Sequence, residues 1–128
     1  MNEKELYTSF KKFWDDDGWR LKDYLYIRIL HWIDFVELCR ANNVAILWLE
    51  FLTQFPDWWI QPFDYDNYSD RIISDSWDEY VNSTCTKCIN KIKTVIANLK
   101  DEWIILDSIL IDFNIASENG YKELGKKE

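Results

Sequence analysis

Glycine and proline are nearly missing: the 128-residue chain has three of the first and two of the second. An all-β protein, with a turn every eight to twelve residues, needs more of both. The scarcity therefore points to long helices joined by few turns. Histidine is just as scarce, with His31 alone, and there are only three cysteines, Cys39, Cys85 and Cys88. An odd number of cysteines cannot all pair within one chain, which suits a reducing cytoplasm. No long apolar run occurs either. The longest, "VAILWL" at 44–49, is too short to cross a bilayer, and the N-terminal stretch "MNEKELYTSFKKFW" lacks the apolar core of a secretion signal.

Motifs for catalysis are also missing. There is no Gly-rich phosphate loop, no G-x-S-x-G and no H-E-x-x-H. Cys85-x-x-Cys88 invites a zinc reading with Cys39 and His31, since structural zinc takes four such ligands. On a single helix over 21–40, however, His31 and Cys39 lie about 12 Å apart, too far to share one ion. "DYDNYSDRIISD", 64–75, has the oxygen spacing of a calcium loop in part. It carries Ser69 where that loop needs glycine and Asp75 where it needs glutamate. The expectation is a protein that is not an enzyme and holds no cofactor or metal.

Acidic and aromatic side chains are plentiful. Hydrophobic residues make up 48% of the chain, enough for one sizeable core, and aromatics 17%, with eight tryptophans. A small core can hardly bury that many rings completely, so some are expected at the surface as anchors for a partner. The net charge is −8. That disfavours direct nucleic-acid or anionic-membrane binding, which rests on Lys and Arg, and favours basic partners.

The charge is unevenly spread. Residues 57–80 hold seven acids (Asp57, Asp64, Asp66, Asp70, Asp75, Asp78, Glu79) against Arg71 alone, together with seven aromatics. Residues 84–100 hold Lys87, Lys91, Lys93 and Lys100 with no acid, and 101–118 hold five acids with no base. Pairing between neighbouring helix faces would account for the second and third segments. Within "PDWWIQPFDYDNYSD", 56–70, like charges repel, and the combination of rings and carboxylates suits a basic surface around an apolar pocket.

Apolar spacing reads as helical along most of the chain. Leu6, Phe10, Phe13 and Trp14 share one stripe, and Leu21, Leu25, Ile29, Trp32, Val36 and Cys39 another. The run 44–55 is compatible with a buried strand or a buried helix; its length and its neighbours favour helix, ended by Pro56. Further helices are expected from about Ser69 to Val81, from Ser83 or Thr84 to Leu99, and from Trp103 to Phe113. The sum is an all-α fold, a compact bundle of five or six helices in one domain over 1–128. An acidic aromatic loop lies at about 56–69, and a loose tail from about 118 to 128. A small β element near 44–65 is the main alternative.

The function expected is that of a small cytoplasmic inhibitor that occludes a basic functional surface of a partner protein. An immunity protein against a nuclease-type toxin is of this kind. A phage-encoded nuclease inhibitor acting as a nucleic-acid mimic, and a homo-oligomeric helical scaffold, are the alternatives. The binding surface expected is Asp57, Trp58, Trp59, Asp64, Tyr65, Asp66, Tyr68 and Asp70, extended by Asp75, Asp78 and Glu79.

Overall fold

The computed structural model describes residues 19–21, 24–55, 60–68, 76–104 and 106–126. It replaces the expected all-α bundle with a mixed α/β fold. Strands β1 (Trp19–Leu21) and β2 (Tyr24–Arg28) precede a 3-10 turn (Ile29–His31) and helix α1 (Trp32–Ala41). Then come β3 (Ala45–Gln54), β4 (Ile60–Asn67), helix α2 (Trp77–Asp101), a second 3-10 turn (Leu106–Ser108), β5 (Ile109–Ala116) and helix α3 (Glu118–Lys126).

β2, β5, β3 and β4 form an antiparallel sheet, which short β1 extends to the order β1-β2-β5-β3-β4. Because β2 and β3 both run antiparallel to β5, they are parallel to each other with β5 between them. By the same logic β4 and β5 are parallel with β3 between them. The chain from β2 to β5 is thus two interleaved split β-α-β units, each closed by one of the long helices.

The segments read as helices became strands for identifiable reasons. In β5, Ile109, Ile111, Phe113 and Ile115 recur at every second residue, with Asp112 and Asn114 between them, and the four apolar side chains are buried. That is a strand period, although Leu106, Ile109, Leu110 and Phe113 also satisfy helical spacing. β3 is buried on both faces. Leu49 and Phe51 belong to the core under the helices, while Leu52 is buried on the other face opposite Leu110. A strand covered on both sides reads as a continuous apolar run, so 44–55 carried no usable period. The expected helix over 21–40 is β2, the first 3-10 turn and only then α1, whose buried residues are Phe35, Val36 and Cys39. The two helices expected between 69 and 100 are, where described, the single helix α2, about 37 Å long. The helix expected near the N-terminus lies outside the described residues. Where a loose tail was expected, Glu118–Lys126 forms α3, and Tyr121 packs its ring against Trp77 and Tyr80.

α2 is strongly amphipathic. It buries Trp77, Tyr80, Val81, Thr84, Cys85, Cys88, Ile92, Val95 and Leu99 on one stripe. Ser76 caps it: its hydroxyl accepts the Glu79 backbone N–H at 3.2 Å, the Ser-x-x-Glu arrangement of a capping box. The core is sealed by ring contact between Phe35 of α1 and Phe113 of β5, with centroids 4.6 Å apart. A bulge at Leu47 shifts the β3–β5 register, and there the buried Thr84 hydroxyl accepts the Ile46 N–H at 3.2 Å while donating to the Val81 carbonyl at 3.1 Å. One side chain thus joins α2 to β3 at the place where the strand ladder is irregular.

α1 and α2 end in the same way. At α1 the Asn43 N–H donates to the Arg40 carbonyl and the Val44 N–H to that of Cys39. At α2 the Trp103 N–H donates to Lys100 and the Ile104 N–H to Leu99. Both are Schellman motifs, with the first residue past the cap in the left-handed region: Asn43 at φ 58° and Trp103 at φ 60°. Asparagine tolerates that region. For a side chain as bulky as tryptophan it costs about 1–2 kcal/mol.

Candidate functional site

β4 carries the centre of the expected binding surface, and it is an edge strand of the sheet rather than part of a loop. Pro62 near its start suits an edge position, where no ladder donor is required. A register shift between Phe51 and Leu52 leaves Phe63 as an extra residue, so β4 is also bulged.

Strand geometry then divides residues that a loop could have gathered into one patch. Asp64 lies opposite Phe51 and Asp66 opposite Leu49, both core residues, so the two carboxylates sit on the face that carries the helices. Tyr65 lies opposite Glu50, on the other face. Glu50 in turn lies opposite Asp112 of β5, which makes one cross-strand row of Tyr65, Glu50 and Asp112.

On the helix side, Lys87 and Lys91 stand one turn apart on α2 and meet β4. The Lys91 ammonium is 3.2 Å from Asp64 Oδ2 and donates to Oδ1 at 3.4 Å; Oδ1 also accepts the Tyr65 N–H at 2.8 Å. Asp64, in the stretch read from the sequence as unpaired like charges, is thus met by a lysine of the basic segment. The pair is partly exposed, and such pairs contribute about 0–1 kcal/mol. Beside it runs a groove of about 360 Å³ lined by Asp66, Asn67, Tyr68, Lys87, Asn90, Lys91 and Thr94. Asp66 makes no ion pair among the described residues.

Tyr68, at the end of β4, turns inward. Its hydroxyl is buried beside the Cys88 thiol without a well-formed hydrogen bond, and burial raises its pKa far above the ordinary range. Cys39, Cys85 and Cys88 are all buried and unpaired by disulfides. Burial pushes the Cys85 thiol up to about 11 and Cys88 up to about 12, and raises Cys39 as well. Thiols held protonated in this way are poor nucleophiles. Among the described residues no group of three or more His, Cys, Asp or Glu is placed to hold a metal ion.

Asp78 and Glu79 are exposed in the first turn of α2, where negative charge suits the helix dipole. They lie about 12 Å or more along the helix from the lysines that meet β4, so they do not extend the Asp64–Asp66 surface. Asp57, Trp58, Trp59, Asp70 and Asp75 lie outside the described residues.

The Glu50–Asp112 pair was not singled out from the sequence. Like charges directly opposite on neighbouring strands repel, and the Asp112 pKa is raised to about 6, chiefly by burial and then by Glu50. The only sequence signal was the position of Asp112 in the strand period of "ILIDFNIA".

No known protein family, no curated protein and no solved structure matches this chain. Among the described residues, no helix is long and apolar enough to cross a membrane.

Proposed function

We propose that the protein binds a basic functional surface of a partner protein and occludes it, as an immunity protein does with a nuclease-type toxin. The observation that carries this reading is the β4 edge. Tyr65 is 63% exposed and Phe63 44% exposed, and carboxylates without an ion-pair partner among the described residues lie beside them on both faces of the sheet: Asp66 on one, Glu50 on the other. Exposed rings supply buried contact area once a partner arrives, and like charges around them steer a basic surface into place. Inhibition would be steric, reinforced by charge, with no covalent step. Neutralisation of Asp64 by Lys91 favours this reading over nucleic-acid mimicry, in which each carboxylate stands free in place of a phosphate.

The test is recovery of the partner from a native lysate with the tagged full chain, washed at low and at high salt. The expected result is a basic protein in stoichiometric amount, released by salt and lost with Asp66→Lys or Tyr65→Ala. Asp66 is preferred to Asp64 because Asp64 is already paired with Lys91, so its reversal would also break that contact. Recovery of the chain alone would instead support the scaffold alternative, and binding untouched by both substitutions would remove β4 from the interface.

A further inference from the structure

β4 is the last strand of the sheet, and among the described residues no strand lies beyond it. Such an edge offers unpaired backbone groups to any other strand, so whatever occupies those groups decides whether the chain stays single. The register tells which groups they are. The Tyr68 N–H donates to the Leu47 carbonyl at 3.2 Å. In an antiparallel ladder alternate residues bond across, so Asp66 and Asp64 also turn their backbone groups toward β3. Tyr65 and Asn67, both exposed, turn theirs outward. The Tyr65 N–H is not left open. It donates to Asp64 Oδ1 at 2.8 Å, and Lys91 of α2 holds the same carboxylate, 3.2 Å from Oδ2 and 3.4 Å from Oδ1. A lysine on the helix thus fixes a side chain whose other contact is an outward donor of the edge strand. An ion pair this exposed adds little to stability, so stability does not explain why it sits there.

We propose that Asp64, latched by Lys91, closes the β4 edge against strand pairing, and that a second copy of this chain pairs along β4 when the latch is removed. The outward groups are self-complementary. With two β4 strands antiparallel about a two-fold axis at Asp66, Tyr65 of one copy faces Asn67 of the other. Each such pair then exchanges an N–H and a C=O in both directions. The axis brings the two Asp66 carboxylates together, but Lys87 lines the same groove as Asp66 and supplies one cation per copy. Pairing also covers the exposed Tyr65 ring. In the native chain the Asp64 carboxylate occupies the very donor that each copy would contribute. Pro62 and the bulge at Phe63 blunt the first half of the strand, which leaves 65–67 as the stretch that Asp64 guards. Nothing in this role of Asp64 requires a basic partner.

Sedimentation equilibrium of the full chain, unaltered and with Asp64→Ala, Asp64→Asn or Lys91→Met, tests this. Asp64→Ala frees the Tyr65 N–H and strengthens self-association by about ten-fold or more, the gain of one recovered hydrogen bond in each copy. Asp64→Asn keeps an oxygen for that N–H while losing the charge, so it stays close to the unaltered chain. Lys91→Met leaves the carboxylate unlatched and falls between the two. Adding Tyr65→Pro to Asp64→Ala removes the donor itself and restores the monomer. Hydrogen exchange gives a readout that needs no variant: the Tyr65 amide exchanges about ten-fold more slowly than the outward amide of Asn67. Equal rates would overturn the proposal. So would an Asp64→Ala chain no more associated than the unaltered one, the result for an edge reserved for another protein's strand. Equal association of Asp64→Asn and Asp64→Ala would make charge the guard rather than the hydrogen bond, and a dimer that survives Tyr65→Pro would form elsewhere; either overturns it as well.

Discussion

Asp112→Asn is expected to stabilise the protein at neutral pH and to leave its stability at low pH unchanged. Asp112 sits in the middle of the sheet, directly opposite Glu50, and its pKa in the folded state is raised from 3.8 to about 6. Burial is the larger cause and Glu50 the smaller. Over the window from about pH 4 to about pH 6 the folded chain binds a proton that the unfolded chain has released, so stability falls as pH rises and levels off above pH 6. A shift of about two units corresponds to about 3 kcal/mol at most, and because the side chain is partly exposed, screening reduces this to about 1–2 kcal/mol. Asparagine keeps the shape and never ionises, so the gain appears only above the window. Urea unfolding of both proteins at several pH values gives the difference directly: near zero at pH 4, growing to about 1–2 kcal/mol at pH 7. Glu50→Gln should recover only the smaller part of the gain. A difference that does not vary with pH, or an asparagine variant less stable at pH 7, would refute the assignment of strain to this carboxylate.

Other outcomes follow from single contacts. Thr84→Val leaves the Ile46 N–H buried without its acceptor and costs about 1–3 kcal/mol, with faster hydrogen exchange at Ile46. Ser76→Ala removes the cap of α2 and costs about 1 kcal/mol, whereas Ser76→Asp retains most of it. Cys39, Cys85 and Cys88 are all buried, with thiols held protonated. A thiol reagent should therefore modify them only after denaturation, when all three react together.

Parts of the fold were legible in the sequence and parts were not. The face of α2 was, because Cys85, Cys88, Ile92 and Leu99 repeat at helical spacing over several turns. β5 was not. Its alternation of Ile109, Ile111 and Phe113 competes with an equally good helical stripe over the same residues, and only pairing with β3 and β2 decides between them. Low glycine and proline content misled in a particular way. The stop at 41–43 was readable from its asparagines, but Trp103 occupies a left-handed position that usually goes to glycine, so the end of α2 lacks the residue that advertises it. At the candidate surface, the enrichment of acids and rings was visible. Their division between two faces was not, because it depends on 60–67 being a strand. The pairing of Asp64 with Lys91 joins positions distant in sequence and follows only from β4 lying beside α2.

The most direct test of the central claim is the rate at which the chain associates with its partner as salt is raised. An acidic surface that steers a basic one predicts an association rate falling about ten-fold or more from low to high salt, with dissociation little changed. An association rate independent of salt would contradict it, since carboxylates at the β4 edge would then play no part in recognition.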